Sequence, residues 1–337
     1  MADKANESVV LSTRVRLARN LKDLPFPNMQ SADQAQQVID RTALALSRSD
    51  MKNDFALTYL RANSESENIA LIEDHLISPD LVKASQRAAV FINKEKTISI
   101  MVGEEDDIRI QAIMNGRSLN EALDLANKAD DSIAENETYA FHDTLGYLTA
   151  CPSNTGTGMR ASLMLHLPAL TVTHQIEQIG RAVSRLGLTI RGFYGEGSQA
   201  SGSIYQLSNQ VTLGFSENDI VKMLNDTADQ IIEREMKARY SIYNSNKTKF
   251  GDKLMRSFGM LKYAMSIDSK ELYKFWSDLR LAISLGIQTE ITNETADKLL
   301  SLQPAELSRL AGKAMTPEER DIYRAQCVKN ILNEQLP

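Results

Sequence analysis

Val9-Val10-Leu11-Ser12-Thr13-Arg14-Val15-Arg16-Leu17 alternates in character. In an extended chain Val9, Leu11, Thr13, Val15 and Leu17 fall on one face, and Arg14 and Arg16 on the other. The period of two predicts a half-buried strand. Two arginines spaced by two put two guanidinium groups side by side on its open face. Guanidinium is a planar fork of donors that suits phosphate oxygens; a merely solvated outer strand face is the alternative.

Outward from this stretch the signals stay mixed. Ser31 is placed to cap a helix running to about Leu46, with Ala35, Val38, Ile39, Thr42 and Leu46 at helical spacing. Asn68–Glu73, Thr97–Val102 and Ile108–Ile113 read as strands, the last two joined by the acidic turn Gly103-Glu104-Glu105-Asp106-Asp107. Cys151-Pro152-Ser153-Asn154-Thr155-Gly156-Thr157-Gly158 is a turn-rich loop, and a short helix over Met159–Leu167 is expected to stop before Pro168. His174–Leu186 is amphipathic and ends at Gly187. Leu188–Arg191 and Ser203–Leu207 read as strands around a glycine-rich loop. Ser216 then opens a long helix to about Tyr240.

From about Thr248 every strong signal is helical. Leu254, Phe258, Leu261 and Met265 form one stripe, and Leu272, Trp276, Leu279 and Ile283 another. Thr316-Pro317-Glu318-Glu319 is a helix start with proline at the first position and a capping-box glutamate. The expected organisation is an α+β domain over residues 9–236 and an all-helical domain over 248–337.

Composition narrows the function classes. The chain has 337 residues, with 38 Lys and Arg against 44 Asp and Glu, a net charge of −6. That balance argues against a protein that grips nucleic acid through its overall charge. Met1–Ser8 carries no apolar segment of a secretory signal, and the apolar stretch Ala161–Val172 is too short to cross a bilayer, so no membrane role is expected. The two cysteines, Cys151 and Cys327, make no disulfide framework, and a reducing cytoplasm is the expected compartment. His75, His142, His166 and His174 form no metal-binding pattern, and no protein-built metal site is expected.

Several residues could carry chemistry. The turn Glu104–Asp107, with Arg109 just beyond it, is either a solvated acidic turn or a place where a carboxylate handles a substrate cation and its proton. The loop before Arg160 has small residues for close backbone approach but no lysine, so it is not a Walker loop. Cys151 within it is either a buried inert thiol or one activated by nearby arginines. His75 could contact a nucleotide or serve structure alone.

Together the segments Ser12-Thr13-Arg14-Val15-Arg16, Glu104-Glu105-Asp106-Asp107-Ile108-Arg109, Cys151-Pro152-Ser153-Asn154-Thr155-Gly156-Thr157-Gly158-Met159-Arg160-Ala161-Ser162 and Arg191-Gly192-Phe193-Tyr194-Gly195-Glu196 resemble the ATP:guanidino phosphotransferases, the family of creatine and arginine kinases. Arg320-Asp321-Ile322-Tyr323-Arg324-Ala325 matches an Arg-Asp-x-x-Arg-Ala motif of the bacterial protein-arginine kinase branch of that family. The chain departs from the common phosphagen-kinase pattern at Gly103 and Asp107, at Tyr194 where a second arginine is usual, and at Gln199 in place of a glutamate.

The resemblance implies a phosphagen-kinase-like antiparallel sheet backed by helices, with ATP across the sheet and Mg²⁺ held mainly by the ATP phosphates. It assigns nucleotide contacts to Ser12, Thr13, Arg14, Val15, Arg16, His75, Arg109, Arg160, Ala161, Ser162, Leu163, Met164, Arg191, Gly192, Phe193, Tyr194, Gly195 and Glu196. Glu105 is the implied base, Glu196 the second orienting carboxylate, and Cys151 a neighbour of the acceptor guanidinium. Arg320, Asp321, Arg324 and Ala325 form the implied second, non-catalytic phosphoarginine site.

The implied reaction moves the ATP γ-phosphate to protein arginines in stress response and quality control. The implied partners are proteins with exposed arginines: a CtsR-type repressor, a ClpC-type unfoldase and an McsA-type activator, with a homodimer as the assembly. A free-arginine kinase and a non-catalytic phosphoarginine adaptor are the alternatives.

Overall fold

The alternation at the start of the chain becomes a ten-residue strand, β1 (Val10–Arg19), with Thr13, Val15 and Leu17 buried and Arg14 and Arg16 half-buried. The computed structural model describes residues 2–192 and 200–334. The other strands are β2 (Phe55–Tyr59), β3 (Ala89–Asn93), β4 (Ile98–Val102), β5 (Ile108–Asn115), the short pair β6 (Phe141–His142) and β7 (Gly146–Tyr147), β8 (Met159–His166), β9 (Leu188–Gly192) and β10 (Ile204–Asn209). The chain divides into two compact units. One holds residues 12–163 and 208–225, and the other residues 1–11, 164–207 and 226–337. Strands β1, β8 and β10 contribute residues to both.

In the first unit the sheet order is β2-β3-β4-β5-β1-β8-β10. The pairs β2–β3, β3–β4, β4–β5 and β5–β1 are antiparallel. Ile98, Ile100, Ile108, Ile110 and Ala112 are fully enclosed, as central strands should be. The helix Leu119–Ala134 packs on β5, and the helix Ala32–Arg48 packs against that helix. Ser31 caps the helix Ala32–Arg48, and its capping box with Gln34 satisfies two backbone N–H groups that a helix start leaves unpaired.

The second unit carries β8, β10 and β9 in that order, together with the helices that follow. Lys247–Tyr263, Ser269–Ser284 and Pro317–Asn333 pack around Trp276, Leu261, Leu272, Leu279, Val328 and Leu332. Thr316 caps the last helix and closes a capping box with Glu319. The helix Glu217–Ser245 is longer than its expected end at Tyr240, and Asn246 caps the helix after it.

Two elements differ from the sequence reading. Met159–His166 is the strand β8, not a helix. Its Met, Ala and Leu residues favour helix in isolation, but the segment is a central strand. Burial on both faces erases the polar alternation that would have marked it. Asn68–Glu73 is not a strand but part of the helix Glu65–Glu73. Ser64 and Glu67 form a capping box there, directly before the run that imitated a strand.

Candidate active site

The register between β1 and β5 sets Arg14 opposite Ile113, Arg16 opposite Gln111 and Ala18 opposite Arg109. Opposed residues of an antiparallel pair point to the same face. Arg14, Arg16 and Arg109 therefore share one face of the sheet, with Arg109 on the diagonal from Arg16. Arg160 lies on the neighbouring β8, and the charges of Arg14, Arg109 and Arg160 all bear on Arg16.

Burial first, and then those three like charges, push the Arg16 pKa well below the ordinary arginine value; Glu104 opposes them. Arg16 makes no hydrogen bond or ion pair with any described residue, and its Nε is buried without a partner. A guanidinium does not shed its charge in a protein. Four cations held together around an unpartnered Nε therefore form a face that an anion with several oxygens completes.

The acidic turn divides two and two. Glu104 and Glu105 face a cavity of about 730 Å³ lined by Arg16 and Arg109, with Arg87 and the helix Pro79–Lys83 as further walls. Glu104 is spent: its carboxylate lies 2.6 Å from Arg109 Nη1 and accepts from Ser78 Oγ at 2.9 Å. Glu105 stays open, its side chain 45% exposed and its nearest charge partner Arg109 Nη2 at 3.6 Å. Partial burial, then the negative charge of Asp106, raises its pKa, while Arg109 pulls the other way. The balance favours proton acceptance, as a general base requires.

Asp106 and Asp107 turn inward. Asp106 accepts from Asn20 Nδ2 and from the Ala150 backbone N–H, both at 2.7 Å. Asp107 accepts from the Leu21 N–H at 2.8 Å and from Gln30 Nε2 at 2.6 Å. Burial pushes the Asp107 carboxyl up to about 6 in spite of those two donors.

The Cys151 loop is fixed from several sides. Gly158 has φ +66°, and a Cβ there would meet the Ala18 carbonyl oxygen at 2.6 Å, so only glycine lets the loop enter β8 this close to β1. Buried Arg19 pairs with Asp130 at 2.6 Å and donates to the Thr157 carbonyl at 3.0 Å. Cys151 itself is half-buried, and its sulfur lies 3.0 Å from the Ser153 hydroxyl rather than in an arginine contact.

His75 has φ 60°, and its backbone carbonyl accepts from Gln111 Nε2 at 2.8 Å, which ties its segment to the arginine face. The protein around its ring, then the charge of Arg14, lowers its pKa. Gln111 went unnoticed in the sequence; its position two residues after Arg109 was the available signal.

Other expected contact residues are distributed differently. Thr13, Val15, Ala161 and Leu163 are buried and alternate with the arginines along their strands, so their side chains lie on the opposite face of the sheet. Ser162 Oγ donates to the Arg14 carbonyl at 3.4 Å. Ser12 and Met164 are half-buried. Arg191 and Gly192 end β9 in the other unit, where Arg191 is exposed. Phe193, Tyr194, Gly195 and Glu196 lie outside the described residues.

The last helix, Pro317–Asn333, carries the residues of the implied phosphoarginine site. Arg324 and Ala325 are buried. Arg324 donates to the carbonyls of Ile267 at 2.7 Å and Leu302 at 3.1 Å, and to Asp321 at 2.5 Å. Arg320 and Asp321 are half-buried.

The donor set fits a triphosphate: several convergent guanidinium groups, with the Arg16 Nε buried and without a partner among the described residues. Among the described residues no group of three or more His, Cys, Asp or Glu could hold a metal ion. No described helix is long and apolar enough to cross a membrane.

The family model for the C-terminal catalytic domain of ATP:guanido phosphotransferases matches residues 37–238, and that for the protein-arginine kinase McsB C-terminal domain matches residues 247–336. A protein-arginine kinase of Caldanaerobacter subterraneus subsp. tengcongensis is 44% identical over 333 residues, 98% of either chain. Another, from Bacillus subtilis, is 43% identical over 340 residues, all of this chain and 93% of the relative. Among solved structures, a lombricine kinase superposes with a TM-score of 0.61 at 28% identity, covering 68% of this chain and 67% of its own. Matched along its whole length, with an arginine-lined face and an open carboxylate beside it, the chain belongs to the ATP:guanido phosphotransferase family and, within it, to the protein-arginine kinases.

Proposed function

We propose that the arginine face receives the ATP phosphates and that Glu105 deprotonates the acceptor arginine beside it. The observation that carries this reading is Arg16, a buried-Nε guanidinium with no partner among the described residues, surrounded by the charges of Arg14, Arg109 and Arg160. Phosphoryl transfer depends on positioning and on stabilising spreading negative charge, and this face supplies both. Mg²⁺, held mainly by the phosphates, would add charge neutralisation when bound.

The acceptor is a protonated guanidinium and a poor nucleophile. Glu105 orients it and takes a proton from the attacking nitrogen as the N–P bond forms and the bond from Pγ to the ADP oxygen breaks. Arg109, ion-paired to Glu104, stands between the carboxylates and the phosphate face. Cys151 and Glu196 complete the acceptor side, Arg191 adds to the phosphate clamp, and His75 belongs to the nucleotide contacts; family resemblance supports these four roles.

The reading extends to a division of labour between residues 9–236, which carry transfer, and residues 248–337, which carry a second phosphoarginine site at Arg320, Asp321, Arg324 and Ala325. The two family-model matches, 37–238 and 247–336, support that division. In this site Arg324 acts from within by holding Asp321, and Arg320 meets the phosphate. A cytoplasmic homodimer in stress response, with a CtsR-type repressor, a ClpC-type unfoldase and an McsA-type activator as partners, completes the proposal on resemblance alone.

The test is a competition between acceptors. With MgATP and equal arginine concentrations, an unfolded basic protein should be phosphorylated and free L-arginine left unmodified. Preferred phosphorylation of free arginine would refute a protein-directed kinase.

A further inference from the structure

Two carboxylates in the cavity are open to an incoming ligand, and only one has a role so far. Glu104 is enclosed, with a side-chain exposure of 5%, and is bound to Arg109 and Ser78. Glu105 is the proposed base. The other open carboxylate is Asp80, on the helix Pro79–Lys83, whose side chain is 67% exposed and, among the described residues, paired with Lys83 Nζ alone, at 2.7 Å.

The helix that carries Asp80 is held against the acidic turn. Ser78, its cap, accepts from the Leu81 N–H at 3.0 Å and donates to Glu104 at 2.9 Å. Leu81 beneath it is fully buried with Ile77, Leu60 and Ala88. The helix therefore keeps a set position relative to Glu104 and Glu105, although its outer residues are in water. Asp80 is close enough that its charge raises the Glu105 pKa and feels Arg109.

We infer that Asp80 is a specificity-determining residue, which binds a positively charged side chain flanking the target arginine while Glu105 holds the target itself. The inference rests on the kinase reading above. Its chemistry is simple. An arginine on a protein arrives with neighbours, and the carboxylate left over once Glu105 is engaged meets whatever those neighbours present. The Asp80–Lys83 pair is no obstacle, because it is an exposed i, i+3 pair of little net strength, and Lys83, 78% exposed, exchanges it for water. A flanking lysine or arginine takes the place of Lys83; a flanking glutamate meets Asp80 as a like charge.

The test uses the full chain, MgATP and two peptides of equal length, each with one arginine, flanked in one by lysines and in the other by glutamates. Wild type should favour the lysine-flanked peptide in kcat/KM by about five-fold or more, mainly through KM. Asp80→Asn should bring the ratio close to one, and Asp80→Lys should invert it.

A second readout separates binding from mere structure. Partial burial and then Asp106 raise the Glu105 pKa, Arg109 lowers it, and Glu104 and Asp80 add smaller upward pushes. Removing the Asp80 charge should move the acidic limb of the kcat/KM profile to lower pH. The same peptide ratio in wild type and both variants would overturn the assignment, as would an equal loss for both peptides, which would place Asp80 on the target guanidinium. No transfer to either peptide by wild type would overturn the kinase reading and this assignment with it.

Discussion

The carboxylate of Asp106 accepts a hydrogen bond from the backbone N–H of Ala150 at 2.7 Å. The same oxygen accepts from Asn20 Nδ2 at 2.7 Å, and the side chain is almost wholly buried. One carboxylate thus ties together the turn that presents Glu105, the end of β1 and the loop that carries Cys151. Asp106→Ala should leave both donors buried without an acceptor, at a cost of about 2 kcal/mol or more. Denaturant unfolding of the variant measures that loss. Transfer should also fall in well-folded variant protein, since Glu105 and Cys151 lose their common anchor. Unchanged stability would show that the tether does not bear on the fold.

Arg16 sets function against stability. It sits among like charges with a buried nitrogen that no described residue satisfies. Arg16→Met keeps the apolar stem and removes the cation. Nucleotide affinity should drop about ten-fold or more, given roughly 1.5–3 kcal/mol for a charge-assisted contact. The melting temperature without nucleotide should be equal to or above that of wild type, because repulsion is relieved. Thermal melts with and without ATP read both effects. A variant that melts lower and binds ATP as before would contradict the assignment of this face.

Asp107 gives a pH signature. Its folded pKa, near 6, lies above the ordinary aspartate value of 3.8. The folded state therefore holds the proton more tightly than the unfolded chain. The stability this contributes is present below about pH 4 and is lost as pH rises through about 6. Relative to Asp107→Asn, wild type should lose unfolding free energy across that window, by up to about 3 kcal/mol. Urea unfolding at pH 4, 5, 6 and 7 gives the difference. A constant difference, or one of opposite slope, would show that the buried carboxyl is already ionised at low pH.

The last helix separates two arginines that look alike in the sequence. Arg324 is buried and donates to two backbone carbonyls and to Asp321. Arg324→Ala should cost roughly 3–5 kcal/mol by leaving those groups unpaired in the interior. Arg320→Ala should change stability by no more than about 0.5 kcal/mol, yet weaken binding of free phosphoarginine by about ten-fold. Calorimetric titration and denaturation of the full-length variants test both statements. Unaltered phosphoarginine binding in Arg320→Ala would remove Arg320 from the proposed site.

What the sequence made legible follows from short-range periodicity. Arg14 and Arg16 stood out because a period of two exposes them against Thr13 and Val15. The cap at Ser31 and the capping box at Thr316 were readable because such signals are local, the box partners lying three residues apart. Long-range register was not readable. Nothing near Arg109 shows that it lies diagonally across from Arg16, since that depends on the pairing of β1 with β5. The acidic turn looked uniform because what turns Asp106 and Asp107 inward is donors far away in the chain, Asn20 and Ala150 for the one and Leu21 and Gln30 for the other. The burial of Arg324 was not readable either: spacing gives the angle between two helical residues, but not which way the helix faces its core. Asp80 carried no local signal at all, because its place beside Glu105 is made by the Ser78–Glu104 bond.

The central claim is that Glu105 is the base of an arginine-directed phosphoryl transfer. The direct measurement is acid-labile phosphate on the arginines of an unfolded basic protein after incubation with MgATP, for wild type and Glu105→Gln, alongside ATP affinity. Wild type should phosphorylate arginine, and Glu105→Gln should lose about 10²-fold or more of that rate while binding ATP nearly as well. Transfer at an undiminished rate by Glu105→Gln, or no arginine phosphorylation by wild type, would contradict the account.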